Sequence, residues 1–204
     1  MKLSRTYLFP SPVWRASVPE SELYNPVLRA RILAERDADP RGVIRSNDSA
    51  SGAWHSDKGM LDWPEARFLR DAILQLADAV FRNSGFKSGT DAVLSSMWSN
   101  VLPRGGYNKS HIHPNSHISG VYYVCAGSSL TMEDPRAGRG SFQALLDDSV
   151  DLPPHSLSYV SLKSTEGDII LFPGWLSHRV ETHSDDSLRI SVSFNINQRI
   201  TCDD

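Results

Sequence analysis

Hydrophobic periodicity changes character near residue 90 of this 204-residue chain, and that change decides what the chain can fold into. Up to about that point apolar residues recur at helical spacing. Asn25 followed by Pro26 predicts a helix start, because proline at the first helical position gives up no needed hydrogen bond, and the segment runs to about Arg36. A second helix is expected from Asp62, with Glu65 completing a capping box and Leu69, Ile73, Leu76 and Val80 on one face, ending near Gly85. Between the two, Arg41 to Lys58 is rich in Gly, Ser, Asn and Asp and reads as an irregular loop. After residue 92 the pattern becomes short strands with turn punctuation: Ala92 to Leu102, Ser119 to Cys125, Ser128 to Glu133, Asp168 to Phe172, His178 to His183 and Arg189 to Ile196. Ser184 to Ser187 is a polar turn of hairpin length between the last two. The expected fold class is mainly β with N-terminal helices, a sandwich or jelly roll. One domain is expected over 1–204, with 1–90 as a helical support region and 91–200 as the β core.

Composition narrows the function classes. Hydrophobic residues make up 40% and charged residues 22%, which suits a globular chain with a sizeable core. A net charge of -3 leaves no electrostatic footprint for nucleic acid, so none is expected as a partner. No apolar run reaches the ~18 residues of a membrane span, and Met1 to Pro12 lacks the apolar core of a signal peptide. Two cysteines, Cys125 and Cys202, cannot form a disulfide framework. A cytoplasmic location follows as the expectation. An exposed sheet edge or the N-terminal helices could mediate a homodimer.

Three of the seven histidines fall between residues 111 and 117. In extended chain, residues two apart share a face, so His111 and His113 present two imidazoles side by side. Imidazole nitrogen suits Fe, Zn, Cu and Ni; polar histidines at a strand edge are the alternative. His178 follows the apolar run Asp168 to Pro173. In the last strand Arg189, Ser191, Ser193 and Asn195 share one face, while Ile190, Val192, Phe194 and Ile196 share the other. The polar face must look into something wet or liganded, since an unpaired buried arginine is too costly to keep. Its planar guanidinium suits a bidentate grip on a carboxylate, either of a ligand or of the protein itself.

His111-x-His113, Ser119-Gly120-Val121-Tyr122-Tyr123-Val124, Phe172-Pro173 with His178, and Arg189-Ile190-Ser191 together resemble the 2-oxoglutarate and Fe(II)-dependent dioxygenase superfamily. The resemblance is nearest to a bacterial oxygenase family related to prolyl hydroxylases. It covers roughly residues 96 to 197, and Leu8 to Trp14 and Trp54-His55-Ser56 also fit. The resemblance implies a double-stranded β-helix, a cupin-like jelly-roll barrel, that uses Fe(II) with 2-oxoglutarate as cosubstrate to hydroxylate a substrate the sequence does not identify, a small molecule or a peptide side chain. His111 and His178 match iron ligands, and Arg189 matches the grip on the distal carboxylate of 2-oxoglutarate. Tyr123 and Ser191 match residues that assist it; Asn100, Tyr107 and Asn108 are looser candidates for the same pocket.

The superfamily pattern is His-x-Asp or His-x-Glu, and here His113 stands at the carboxylate position. The site is therefore read as three histidines, which leave Fe(II) at +2 for the 2-oxoglutarate dianion to neutralise. A carboxylate from Glu133 or Asp134, with one histidine behind the ligands, is the alternative. Two other functions compete: a three-histidine iron dioxygenase that needs no 2-oxoglutarate, and a non-catalytic metal-binding jelly-roll module. His117 is expected to be a bystander, His55 and His183 to face solvent, with His55 alternatively lining the pocket entrance, and Trp14, Trp63, Trp98 and Trp175 to serve as packing residues. Cys125 is expected to be a buried small hydrophobe.

Overall fold

The computed structural model describes residues 3–87, 90–136 and 151–200, so Cys202 lies outside the described residues. Among the described residues two helices, α1 (Ser21–Ala38) and α2 (Arg67–Asn83), accompany ten strands. The strands are β1 (Trp14–Ser17), β2 (Trp54–His55), β3 (Thr90–Leu102), β4 (Asn108–His111), β5 (Ile118–Cys125), β6 (Leu130–Glu133), β7 (Tyr159–Leu162), β8 (Asp168–Pro173), β9 (His178–Val180) and β10 (Arg189–Ile200). They form a six-stranded sheet in the order β1-β8-β5-β10-β3-β2 and a four-stranded sheet in the order β4-β9-β6-β7. Every strand pair within them is antiparallel.

Side-chain alternation explains why the large sheet is buried on both faces. Ile169 and Leu171 of β8, Tyr122 and Val124 of β5, and Ile190, Val192, Phe194 and Ile196 of β10 pack with Leu28 and Ile32 of α1 and Leu69, Ile73 and Ala77 of α2. The alternate residues Ile170, Phe172, Val121 and Tyr123 pack instead with Leu130, Met132 and Val180 of the small sheet. The first set is a helix-on-sheet core and the second is the interior of a two-sheet jelly roll. Gly120 is needed on the helix side, where a Cβ would run into the Phe194 ring and the Ile170 carbonyl.

The helices start elsewhere than the sequence signals suggest. α1 begins at Ser21, so Pro26 sits inside it. Asn25 is buried instead of capping: Tyr122 Oη donates to its Oδ1 at 2.6 Å, and its Nδ2 donates to the Val124 carbonyl at 3.3 Å. Asp62 closes a short 3-10 turn, a second such turn spans Pro64–Ala66, and α2 proper begins at Arg67 with no side-chain cap. Its far end is as expected, with Gly85 at φ 75° and Phe86 N–H bonding the Phe81 carbonyl. The Ser184 to Ser187 turn does not make a hairpin, because β9 and β10 lie in different sheets. The segment expected to be loop at 41–58 contributes β2, and β1 adds an edge strand, so the N-terminal region is not purely helical support.

Candidate metal centre

β4 and β9 bring two histidines face to face, because His111 and His178 are direct cross-strand partners. β4 ends at His111, and His113 lies two residues beyond it, just before the turn at Pro114, where its N–H bonds the Gly174 carbonyl at 2.8 Å. Ring centroids are 4.3 Å apart for His111 and His178, 5.0 Å for His113 and His178, and 5.2 Å for His111 and His113. One ligand atom from each lies within 4.8 Å of the other two, and among the described residues this is the only such group of His, Cys, Asp or Glu.

The hydrogen bonds set the tautomer of all three rings. Nδ1 of His111 meets the Lys109 carbonyl at 2.7 Å, Nδ1 of His178 meets the Leu176 carbonyl at 2.9 Å, and Nδ1 of His113 meets Asn195 Oδ1 at 2.6 Å. Carbonyl oxygens only accept, so each Nδ1 carries the proton and each Nε2 keeps its lone pair for a metal. Asn195 is itself fixed, with Ser119 Oγ donating to its Oδ1 and its Nδ2 donating to Ser96 Oγ. Burial disfavours the charged forms, pushing His113 down to about 4 and His178 down to about 3, and lowering His111 as well. The imidazoles are therefore neutral and ready to ligate at neutral pH.

The carboxylate alternative finds no support in this arrangement. Glu133 Oε2 accepts from Ser110 at 2.8 Å and from Ser177 at 2.7 Å, and its Oε1 accepts from Arg179 at 3.0 Å. Asp134 is engaged by the Arg136 guanidinium.

The same cavity that holds the three histidines is lined at its other end by Arg189 and Ser191. Arg189 is 1% exposed. Its Nε donates to the Ser128 carbonyl at 3.1 Å and one Nη to Ser191 Oγ at 2.9 Å, while its second Nη is buried without a partner. No carboxylate pairs with it among the described residues. Tyr123 lies beside the guanidinium, 5.2 Å from Cζ to the ring centroid, and apart from that neighbour its buried hydroxyl has no partner among the described residues. Burial works against the arginine's charge, with Tyr123 opposing that effect. Asn100 and Asn108 line the cavity too; their amides donate to Ser193 and Ser46, and both Oδ1 atoms are left without partners. An arginine donor kept dry and open in the cavity of three neutral histidines is an arrangement that an anion could satisfy. Tyr107 is not among the residues lining it.

Several features were not legible in the sequence. His55 is buried rather than solvent-facing and stacks on Trp98 at 5.6 Å, and Trp98 in turn lies 5.6 Å from His113. Trp98 is thus a wall of the cavity and not merely packing. His183 is also buried, its Nε2 meeting the Ser187 carbonyl at 2.7 Å. Trp175 is exposed and Cys125 only half-buried. His117 is exposed and bonds Asn197, outside the trio, as expected. Asn195 was placed on the right strand face by alternation, but only the folded chain brings it to His113, 82 residues earlier.

Comparison with known proteins agrees with this geometry. Residues 96–195, which contain all three histidines and Arg189, match the sequence model of a family described as "Putative 2OG-Fe(II) oxygenase". No curated protein matches the chain. Among solved structures, a Pseudomonas putida prolyl-4-hydroxylase is similar at 17% identity and TM-score 0.60, over 93% of this chain and 94% of that one. The epimerase SnoN, in complex with Fe3+, alpha-ketoglutarate and nogalamycin RO, is similar at 11% identity and TM-score 0.65, over 91% and 78%. HygX from Streptomyces hygroscopicus, with nickel, 2-oxoglutarate and hygromycin B bound, is similar at 10% identity and TM-score 0.58, over 92% and 83%. These likenesses identify the jelly-roll fold. Among the described residues no helix is long and apolar enough to cross a membrane. Family match and shared fold point the same way: over residues 96–195 the chain matches a 2-oxoglutarate- and Fe(II)-dependent oxygenase family, and its fold is the jelly roll of these solved structures.

Proposed function

We propose that this protein is a 2-oxoglutarate-dependent iron oxygenase that hydroxylates a C–H bond of its substrate, with His111, His113 and His178 as the metal ligands. The observation that carries the reading is the open Nη of Arg189, buried in the cavity of the three histidines with no carboxylate among the described residues to satisfy it. When bound, iron and 2-oxoglutarate supply the oxidation of a C–H bond by O2, with 2-oxoglutarate converted to succinate and carbon dioxide.

The chain's own residues bind, orient and exclude. The three neutral Nε2 atoms of His111, His113 and His178 would hold the metal. Arg189, held by Ser191 and the Ser128 carbonyl, donates to the distal carboxylate of 2-oxoglutarate, and the Tyr123 hydroxyl adds a second donor to the same group. Val121, Leu130, Phe172 and Val180 wall the cavity with apolar surface, which keeps water away and strengthens that charge pairing. No side chain need act as general acid or base.

The test is succinate formation from 2-oxoglutarate and O2 by the Fe(II)-loaded protein without added substrate. Slow turnover is expected in the native chain. Arg189→Ala removes a charge-assisted hydrogen bond of roughly 1.5–3 kcal/mol and should weaken 2-oxoglutarate about 10- to 100-fold while metal content stays near normal. Equal 2-oxoglutarate affinity in the two proteins would make Arg189 structural and favour an iron dioxygenase that needs no 2-oxo acid.

A further inference from the structure

His111 and His178 are held by the same local device. Each Nδ1 bonds the carbonyl two residues back, Lys109 in one case and Leu176 in the other. The residue between carbonyl and histidine is a serine both times, Ser110 and Ser177. Those serines are 3.0 Å apart, and both donate to one oxygen, Glu133 Oε2, at 2.8 and 2.7 Å. Glu133 N–H also bonds the Ser177 carbonyl at 2.9 Å. Its other carboxylate oxygen is fixed by Arg179, which is braced in turn by Glu181. One carboxylate on β6 therefore ties β4 to the turn before β9, at the residues adjoining two of the three histidines.

We infer that Glu133 is a positioning residue for the metal centre: by gripping Ser110 and Ser177 it sets the spacing and ring orientation of His111 and His178, and it brings a negative charge to a ligand set that has none of its own. This inference deepens the proposed function, since it rests on the three histidines being the metal site, but it does not depend on which cosubstrate the metal takes. The charge argument is direct. Three neutral imidazoles leave a divalent ion at full charge, and a carboxylate just outside them offsets part of it. A group in this position matters to affinity without touching the ion.

The experiment is titration of metal-free protein with Co(II), read both as a dissociation constant and as the visible d–d spectrum of the bound ion. Glu133→Ala should raise the dissociation constant by about 10- to 100-fold, the usual cost of losing an outer partner of a metal site, and should alter the d–d bands. Glu133→Gln keeps an acceptor for the serines but no charge, so it should fall between Glu133→Ala and the native chain. Asp186→Ala, an exposed carboxylate that pairs with Arg104 and touches neither serine nor Arg179, should match the native chain. If Glu133→Ala does not fold, the Ser110→Ala/Ser177→Ala double variant leaves the carboxylate and cuts the grip; it should also weaken Co(II) and shift its bands. Native affinity and spectrum in a folded Glu133→Ala, or in that double variant, would overturn the inference. Failure of the proposed function looks different: Co(II) would bind and respond to Glu133, while Fe(II)-loaded protein would form no complex with 2-oxoglutarate.

Discussion

His113 and His178 are buried and His111 is half-buried, each with its Nδ1 proton spent on a carbonyl oxygen, and this has a thermodynamic signature in the metal-free protein. Burial holds His113 near 4 and His178 near 3 in the folded state, whereas in the unfolded chain they return to about 6.5. Between those values the unfolded state binds more protons, so stability is fully present above about pH 6.5 and is lost as pH falls toward 4. Each histidine that protonates only on unfolding adds up to about 1.4 kcal/mol per pH unit to that slope. Denaturant melts of metal-free protein across this window should show the loss, and His113→Ala should flatten it. The ligand claim has its own test in iron content: His113→Ala should lose Fe(II), whereas His113→Asp, which restores an anionic ligand type, should retain it. Equal iron in all three proteins would remove His113 from the metal. At this scale alternation and spacing carried far, since His111, His113 and the polar face from Arg189 to Asn195 follow from a two-residue repeat. Trp98 and His55 did not, because an aromatic in a strand has no sequence mark that separates cavity wall from core.

At the scale of elements, strands were more legible than their partners. A run such as Asp168–Pro173 announces a strand by its apolar content, but nothing local says that β9 and β10 belong to opposite sheets. The same limit misplaced the starts of both helices. Asn25-Pro26 has the chemistry of a helix start, yet burial of Asn25 against Tyr122 and Val124 outweighs the one backbone bond lost at Pro26. Asn25 consequently fastens α1 to β5. Asn25→Ala should cost about 1–3 kcal/mol, because it takes the Asn25 acceptor from the buried Tyr122 hydroxyl, and in a chain of this length each kcal/mol lowers Tm by about 2–4 °C. Differential scanning calorimetry with a parallel Co(II) titration checks this, since metal affinity should stay unchanged. An unchanged Tm would show that α1 is held by its apolar contacts alone.

For the molecule as a whole, two sheets bring together residues that the chain keeps 78 positions apart, from His111 to Arg189. The large sheet buries one face under helices and turns the other toward the small sheet, so its inward polar residues must be satisfied within the cavity. β10 supplies Arg189 at one end of that cavity and Asn195, the support of His113, six residues on; β4 and β9 supply the facing histidines. Under the proposed function this single cavity holds metal and 2-oxo acid together. Anaerobic titration of Fe(II)-loaded protein with 2-oxoglutarate tests it most directly. A saturable, weak visible charge-transfer band is expected that is absent with Fe(II) or 2-oxoglutarate alone and needs much more ligand in Arg189→Ala; a fully iron-loaded native protein that develops no band at saturating 2-oxoglutarate would rule the shared cavity out.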